Sequence, residues 1–202
     1  MLFRSPPIVP VLMPPDFPNR TDPWARMPLS IAPLLFFDLE TTGLYPSRGA
    51  RIAEIGLVDH RALVLHWTGD PARDGYDAAL ADAIDETVAA LSDGIVVGHN
   101  LSFDLGFLAR EADRLDIAGP RLRMIDTLAL ARRLLDSADA PSVPNHKLAS
   151  LLDAFDLEPV GTLHTTLGDA RSTRVLFWAL VEHGDLHTLR DARMRRIDWA
   201  AF

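Results

Sequence analysis

Three short stretches of this chain hold ionisable residues in positions that could do chemistry. In residues 34–44 (LLFFDLETTGL) an apolar run leads into Asp38 and Glu40, with Thr41, Thr42 and Gly43 behind them. Successive side chains of a strand alternate between faces, so residues i and i+2 share one. The two carboxylates therefore stand side by side at the end of a buried strand. Like charges that close repel each other and are costly to bury unless a positive charge sits between them. A hard divalent cation answers that need with oxygen ligands alone. Further along, Asp104 lies in HNLSFDLGFL, just after the apolar run 95–98. Asp169 lies in HTTLGDA, five residues after His164.

These residues need elements to carry them. Residues 34–39 read as a strand, 51–59 as a second that alternates apolar and polar side chains, and 62–67 as a third, joined to the second by a hairpin. Leu80, Ile84, Val88 and Leu91 recur at helical spacing, which predicts an amphipathic helix over 76–91. The wholly apolar 95–98 suits a strand buried on both faces. Ser102 can cap the next helix, which runs through Leu115 and stops near Gly119 and Pro120. A brief fifth strand at 122–125 precedes a helix to Leu135, with Asp126 as its N-cap. Two more helices follow, at 146–155 and from Asp169 to about His183. The pattern is α/β, with a mixed five-stranded central sheet flanked by helices. Sites in such sheets gather where strand ends meet helix starts. Four acids and a histidine meeting there would make a two-metal site with a base.

Composition narrows the alternatives. The chain has 202 residues, 48% of them apolar, a formal net charge of −8 and no cysteine. Disulfides, thiolate catalysis and cysteine-ligated zinc are excluded. The acidity argues against a protein that coats nucleic acid by phosphate neutralisation alone, but not against an enzyme that grips a few nucleotides through metal ions. No apolar run reaches the roughly 18–20 residues of a membrane span, and 8–13 (IVPVLM) is too short and Pro-broken for a signal peptide. No membrane association and a cytoplasmic location are expected. GxGxxG and Walker A patterns are absent. Nine of the fifteen prolines fall in residues 1–33, which read as an extended, poorly ordered arm, with Met27 as an alternative start. His146 and Lys147 read as solvated surface, with phosphate contact the alternative. The arginines from Arg190 to Arg196 either track a nucleic-acid backbone or form a solvated helix face. His60, His66, His183 and His187 show no metal-ligand spacing.

FDLETTGL, VGHNLSFDLGFL and HTTLGDA resemble, in order and spacing, the three motifs of the DnaQ-like (DEDDh) 3′→5′ exonucleases, the family of ribonuclease T and of the exonuclease domain of the DNA polymerase III epsilon subunit. MIDTLALARRL resembles the segment between the last two motifs. The resemblance covers about residues 35–181. It implies a ribonuclease-H-like fold, with an exonuclease domain over 34–184 and a short Arg-containing tail over 185–202. It implies two Mg²⁺, replaceable by Mn²⁺. Asp38, Glu40 and Asp169 match direct metal ligands, Asp38 bridging both ions; Asp104 matches the fourth acid, acting through water, and His164 the general base. Thr41, Thr42 and Gly43 would cradle the 3′-terminal nucleotide and Leu44 would pack on its base. His99, Asn100 and Phe103 match positions lining the substrate channel. The implied substrate is the 3′ end of single-stranded DNA or RNA, released as nucleoside 5′-monophosphates.

Three departures stand out. Thr166 occupies a position that is often alanine. Residues 69–76 lack a Pro…Ile…Gly-Ile-Thr segment that many relatives carry. The chain ends soon after its last helix and contains no glutamine, so a Gln-led clamp-binding motif is excluded. The Pro-rich arm is then the one obvious tether for a polymerase partner. The rival readings are a proofreading subunit of a DNA polymerase and a catalytically silent nucleic-acid-binding module; a degenerate module would be expected to lack an acid or the histidine. Oligomeric state and a DNA or RNA preference are not readable from the motifs.

Overall fold

The computed structural model describes residues 22–136, 141 and 143–199. Its sheet grows outward from β1 (Leu34–Thr41), whose apolar residues serve both faces. Leu35, Phe37 and Leu39 enter one core cluster, while Leu34 and Phe36 enter the other. Asp38 and Glu40 continue the second series, so they end up on the Phe36 face. β2 (Ile52–Val58) pairs antiparallel with β1, and β3 (Leu63–Thr68) antiparallel with β2. On the other side β4 (Ile95–Gly98) and β5 (Arg121–Asp126) run parallel to β1. Between β1 and β2 the register slips after Glu40, which faces Glu54, while Thr41 faces Ile52. A bulge of this kind ends regular pairing and re-aims the strand end.

Among the described residues the sheet has six strands in the order β3-β2-β1-β4-β5-β6, not the five expected. β6 (Arg195–Asp198) pairs antiparallel with β5, from Arg121↔Asp198 to Met124↔Arg195. Its sequence, RRID, has no apolar alternation, so periodicity misses it. The open backbone edge of β5 recruits it, and its charged side chains blunt the new edge. The arginines at 195 and 196 are therefore on a strand and not on a helix face.

Helices α1 (Tyr76–Ser92) and α2 (Leu101–Arg114) cover the Phe37 face. Helices α3 (Thr127–Leu134), α4 (Leu148–Ala154) and α5 (Thr166–His183) cover the other. Asp126 caps α3 by accepting the Leu128 N–H at 2.9 Å. α5 starts three residues before Asp169, because Thr165 supplies the cap: its hydroxyl accepts the Gly168 N–H at 3.2 Å.

Residues 22–33, assigned by composition to the arm, pack into the body. Trp24 is buried beneath the Arg123 guanidinium, 4.5 Å from its ring centre, and Leu29 is buried beside it. The Arg190 N–H donates to the Ala25 carbonyl and the Leu189 N–H to that of Met27. The last segment before β6 thus clasps the first described one. The remainder of the expected arm, residues 1–21, lies outside the described residues. Among the described residues, no helix is long and apolar enough to cross a membrane.

Candidate active site

Asp38, Glu40 and Asp169 each present a carboxylate oxygen, and these oxygens lie within 4.8 Å of one another. Two features of the chain bring α5 to β1. The first is Gly56, which faces Asp38 across the β1–β2 ladder. A Cβ there would lie 2.5 Å from the Thr166 Cβ, so only glycine lets the first turn of α5 settle on β2. The second is the turn into α5. His164 adopts φ +63°, in the left-handed region, and its N–H donates to Asp169 Oδ1 at 3.2 Å. Residue 168 must also be glycine, since a Cβ would overlap the Thr162 carbonyl oxygen. The expected base and the expected ligand are thus joined through the backbone. The His164 side chain is exposed at the mouth of the cluster.

Asp104 reaches the site from the opposite layer. Pairing of β1 with β4 runs only as far as Phe36↔Val97. Beyond it the Leu39 N–H is taken by Asp104 Oδ1 at 3.1 Å. Asp104 is buried and is not one of the three converging acids. Its charge acts on Asp38 all the same. Burial raises the Asp38 pKa well above the usual value, and the charges of Asp104, Asp169, Glu40 and Glu54 push it further. Burial likewise raises Asp104, against the bond from Leu39. Glu40 is raised by burial and by Asp169 and Glu54, and Asp169 by burial. Proximity to His164 opposes both of the last two shifts. Crowded, partly desolvated carboxylates with raised pKa values are what an all-oxygen cation site looks like without its cation.

The flanking residues fall into place around this cluster. The Thr41 hydroxyl donates to the Gly43 carbonyl at 2.8 Å, and Thr42 Oγ1 accepts the Arg51 N–H at 2.9 Å. The turn 41–43 is thereby fixed to the start of β2. Leu44 is 68% exposed, so its side chain is open to a ligand. Phe103 is half-buried against Phe107, ring centres 4.9 Å apart. Asn100 adopts φ +64° and its N–H donates to Asp126 Oδ1 at 3.0 Å. The His99 ring is held at both nitrogens, Nδ1 by the Thr127 hydroxyl at 3.0 Å and Nε2 by the His146 carbonyl at 2.9 Å. Burial lowers its pKa, while the bond to the His146 carbonyl works the other way.

Two residues escaped the sequence reading. Glu54 stands opposite Glu40, and its Oε1 lies 2.6 Å from His66 Nε2. Strand alternation put Glu54 on a face; only the register shows that it is the face of the acids. Tyr45 is exposed next to Leu44, with the Arg48 guanidinium 4.7 Å above its ring. An aromatic residue directly after TTGL was the available signal.

Comparisons with known proteins give the same class. The profile of the RNase T family, described as exonuclease, matches residues 68–177. The chain is 31% identical over 162 residues to the DNA polymerase III subunit epsilon of Rickettsia felis, covering 67% of this chain and 68% of that protein. It is 30% identical over 179 residues to the PolC-type DNA polymerase III of Halalkalibacterium halodurans, covering 78% of this chain and 12% of that protein. Several relatives are far longer proteins, of which this chain spans between 6% and 16%. Among solved structures, exonuclease X in complex with 5′-overhanging duplex DNA superposes with a TM-score of 0.53 at 23% identity, over 79% of this chain and 98% of that one. The fold is ribonuclease-H-like, and the protein is a nuclease. The chain belongs to the RNase T family of exonucleases.

Proposed function

We propose that this protein is a metal-dependent 3′→5′ exonuclease that trims single-stranded DNA or RNA and releases nucleoside 5′-monophosphates. The observation that carries this reading is the convergence of Asp38, Glu40 and Asp169 within 4.8 Å, from the two ends of the chain's fold. The donor set fits hard divalent ions, since every ligand is a carboxylate oxygen. Asp38, Glu40 and Asp169 would hold one ion, Asp38 would bridge to a second, and Asp104 would act through water. When bound, two Mg²⁺ ions, or Mn²⁺ in their place, supply an activated water and charge stabilisation at the scissile phosphate.

The chain's own residues do the rest. The exposed His164 imidazole accepts the proton of the attacking water, and its backbone link to Asp169 holds it beside the ligands. The 41–43 turn cradles the terminal nucleotide, Leu44 lies on its base, and Asn100, Phe103 and the His99 edge line its path. The location consistent with this role is the cytoplasm. The deciding assay offers matched single-stranded DNA, double-stranded DNA and RNA, labelled at either end, with Mg²⁺ or Mn²⁺. Stepwise loss of the 3′ label as a mononucleotide is expected, and Asp38→Ala should abolish it without unfolding the protein. A folded wild type that degrades none of these substrates would sink the proposal.

The relation to an epsilon subunit favours a second reading, a proofreading subunit bound to a polymerase. Stable co-purification with a polymerase would support it, and full activity as a lone species would count against it.

A further inference from the structure

Beside the acids the surface changes sign. A groove of about 540 Å³ opens past the end of β4, floored by His99 and walled by Asn100, Arg132, Asn145, His146 and Lys147. Among the described residues no acid lines it, although the chain carries a net charge of −8. Arg132 and Lys147 are exposed and, among the described residues, have no ion pair. Lys147 is the chain's single lysine, among twenty basic residues.

The groove's position follows from the sheet. β4 lies parallel beside β1, and neighbouring strands are about 5 Å apart, so the groove opens one strand away from Asp38 and Glu40 on the same sheet edge. The His99 ring, bonded to Thr127 on one side and to the His146 carbonyl on the other, ties the 145–147 loop to that edge. Lys147 therefore sits on an anchored segment. Asp126, at the end of β5, is engaged by the backbone N–H groups of Asn100 and Leu128. Among the described residues no Phe, Tyr or Trp lines the groove, so it offers chiefly positive charge and amides, with the His99 and His146 rings as its aromatic surface.

We propose that this groove is the track for the sugar–phosphate backbone of the substrate strand upstream of its 3′ end, with Arg132 and Lys147 each neutralising a phosphate. The proposal rests on the exonuclease reading and adds that the enzyme grips several nucleotides without regard to their sequence. Of the two readings of Lys147, solvated surface and phosphate contact, the proposal takes the second.

The test is binding, measured apart from cleavage. The full chain is titrated against a fluorescent single strand about twelve nucleotides long, within the span of single-strand sites, at several salt concentrations. Ca²⁺, which takes the same oxygen ligands in looser geometry, replaces Mg²⁺. Each phosphate contact on a single strand contributes about 0.7 to the slope of log affinity against log salt. Arg132→Ala/Lys147→Ala should therefore lower that slope by about 1.4 and weaken binding about tenfold at moderate salt, equally for different base compositions. Arg110→Ala, which removes a charge from α2, should leave the slope alone. A second readout needs no variant: saturating strand should protect Lys147 from acetylation, read by peptide mass. An unchanged slope in a folded double variant, or Lys147 acetylated equally fast with strand present, overturns the groove while leaving the exonuclease reading intact. Strand binding with the expected slope loss but no hydrolysis in Mg²⁺ supports the groove and defeats the exonuclease reading. A wild type that binds no strand overturns both.

Discussion

His164 shows how much a single residue's backbone contributes to a site. Its left-handed conformation turns the N–H towards Asp169 and leaves the imidazole exposed at the mouth of the acid cluster. In the proposed mechanism the side chain and the backbone would serve different ends, proton acceptance and ligand positioning. Replacing the ring alone separates them. His164→Ala keeps the N–H bond and all four acids, so it should retain Mn²⁺ affinity and Tm. Its kcat should fall about 10²–10⁴-fold, the usual contribution of a general base. Isothermal titration with Mn²⁺ beside single-turnover kinetics checks both halves. A variant that loses metal affinity and rate together would mean that the ring, and not only the backbone, supports Asp169. Thr166, flagged in the motif as a departure from alanine, turns out to be buried, with no partner for its hydroxyl. Its Cβ and hydroxyl oxygen pack on Gly56, so this position makes the contact with β2.

At the scale of elements, the site depends on how closely α5 approaches β2. The alternation along β1 was legible beforehand: Leu34, Phe36, Asp38 and Glu40 share a face, as period-2 reasoning requires. The start of α5 was less so, since it was placed at Asp169 and begins at Thr166, capped by Thr165. What no pattern could reveal is that Gly56, an unremarkable residue in a strand, sets the distance between the two acid-bearing elements. Gly56→Ala puts a methyl 2.5 Å from Thr166 Cβ. The first turn of α5 must then move away from the sheet, carrying Asp169 with it. Overpacking of this kind destabilises by about 1–3 kcal/mol. A misplacement near 1 Å in a catalytic constellation lowers the rate about 10²-fold. We therefore expect a folded variant with a modestly lower Tm and a disproportionate loss of nuclease activity, measured by thermal unfolding and by oligonucleotide turnover. Activity close to wild type would show that β2 and α5 can separate without disturbing the acids.

For the whole molecule, the acid cluster is a source of instability that a bound cation would relieve. Asp38, Glu40, Asp104 and Asp169 all have pKa values raised from the usual carboxylate range, chiefly by burial. A carboxyl that holds its proton more tightly in the folded state stabilises the fold fully below its unfolded pKa. That contribution is lost as pH rises through the raised folded pKa. The part of the metal-free protein's stability owed to these groups should therefore decline as pH climbs above the ordinary Asp value of 3.8 and through their raised values. Mg²⁺ should restore it, with a larger rise in Tm at pH 8 than at pH 5. Asp38→Asn removes one charge from the cluster, so metal-free Tm should rise at pH 8 and the response to Mg²⁺ should shrink. Differential scanning calorimetry with chelator and with Mg²⁺ reads all three effects. A metal-free Asp38→Asn protein less stable than wild type at pH 8 would contradict this account of the cluster.

By itself the sequence determined the class of chemistry, the strands that bear the acids and the order in which the motifs occur. These are local properties: an alternation of two, a capping residue, acids and a histidine at fixed spacing. It placed neither β6 nor the packing of residues 22–33. The first forms because β5 has an open edge to pair with, and the second because Trp24 finds Arg123 and the 187–190 backbone, partners far away along the chain. Tertiary structure alone decided which acids converge, that Glu54 faces Glu40, and that Asp104 accepts the Leu39 N–H. It also brought Arg132 and Lys147, assigned from sequence to the interior of one helix and the start of another, to the walls of one groove beside the acids. Distances of this kind are set by strand register and by how near two backbones can come, and neither is written in the spacing of side chains along the chain.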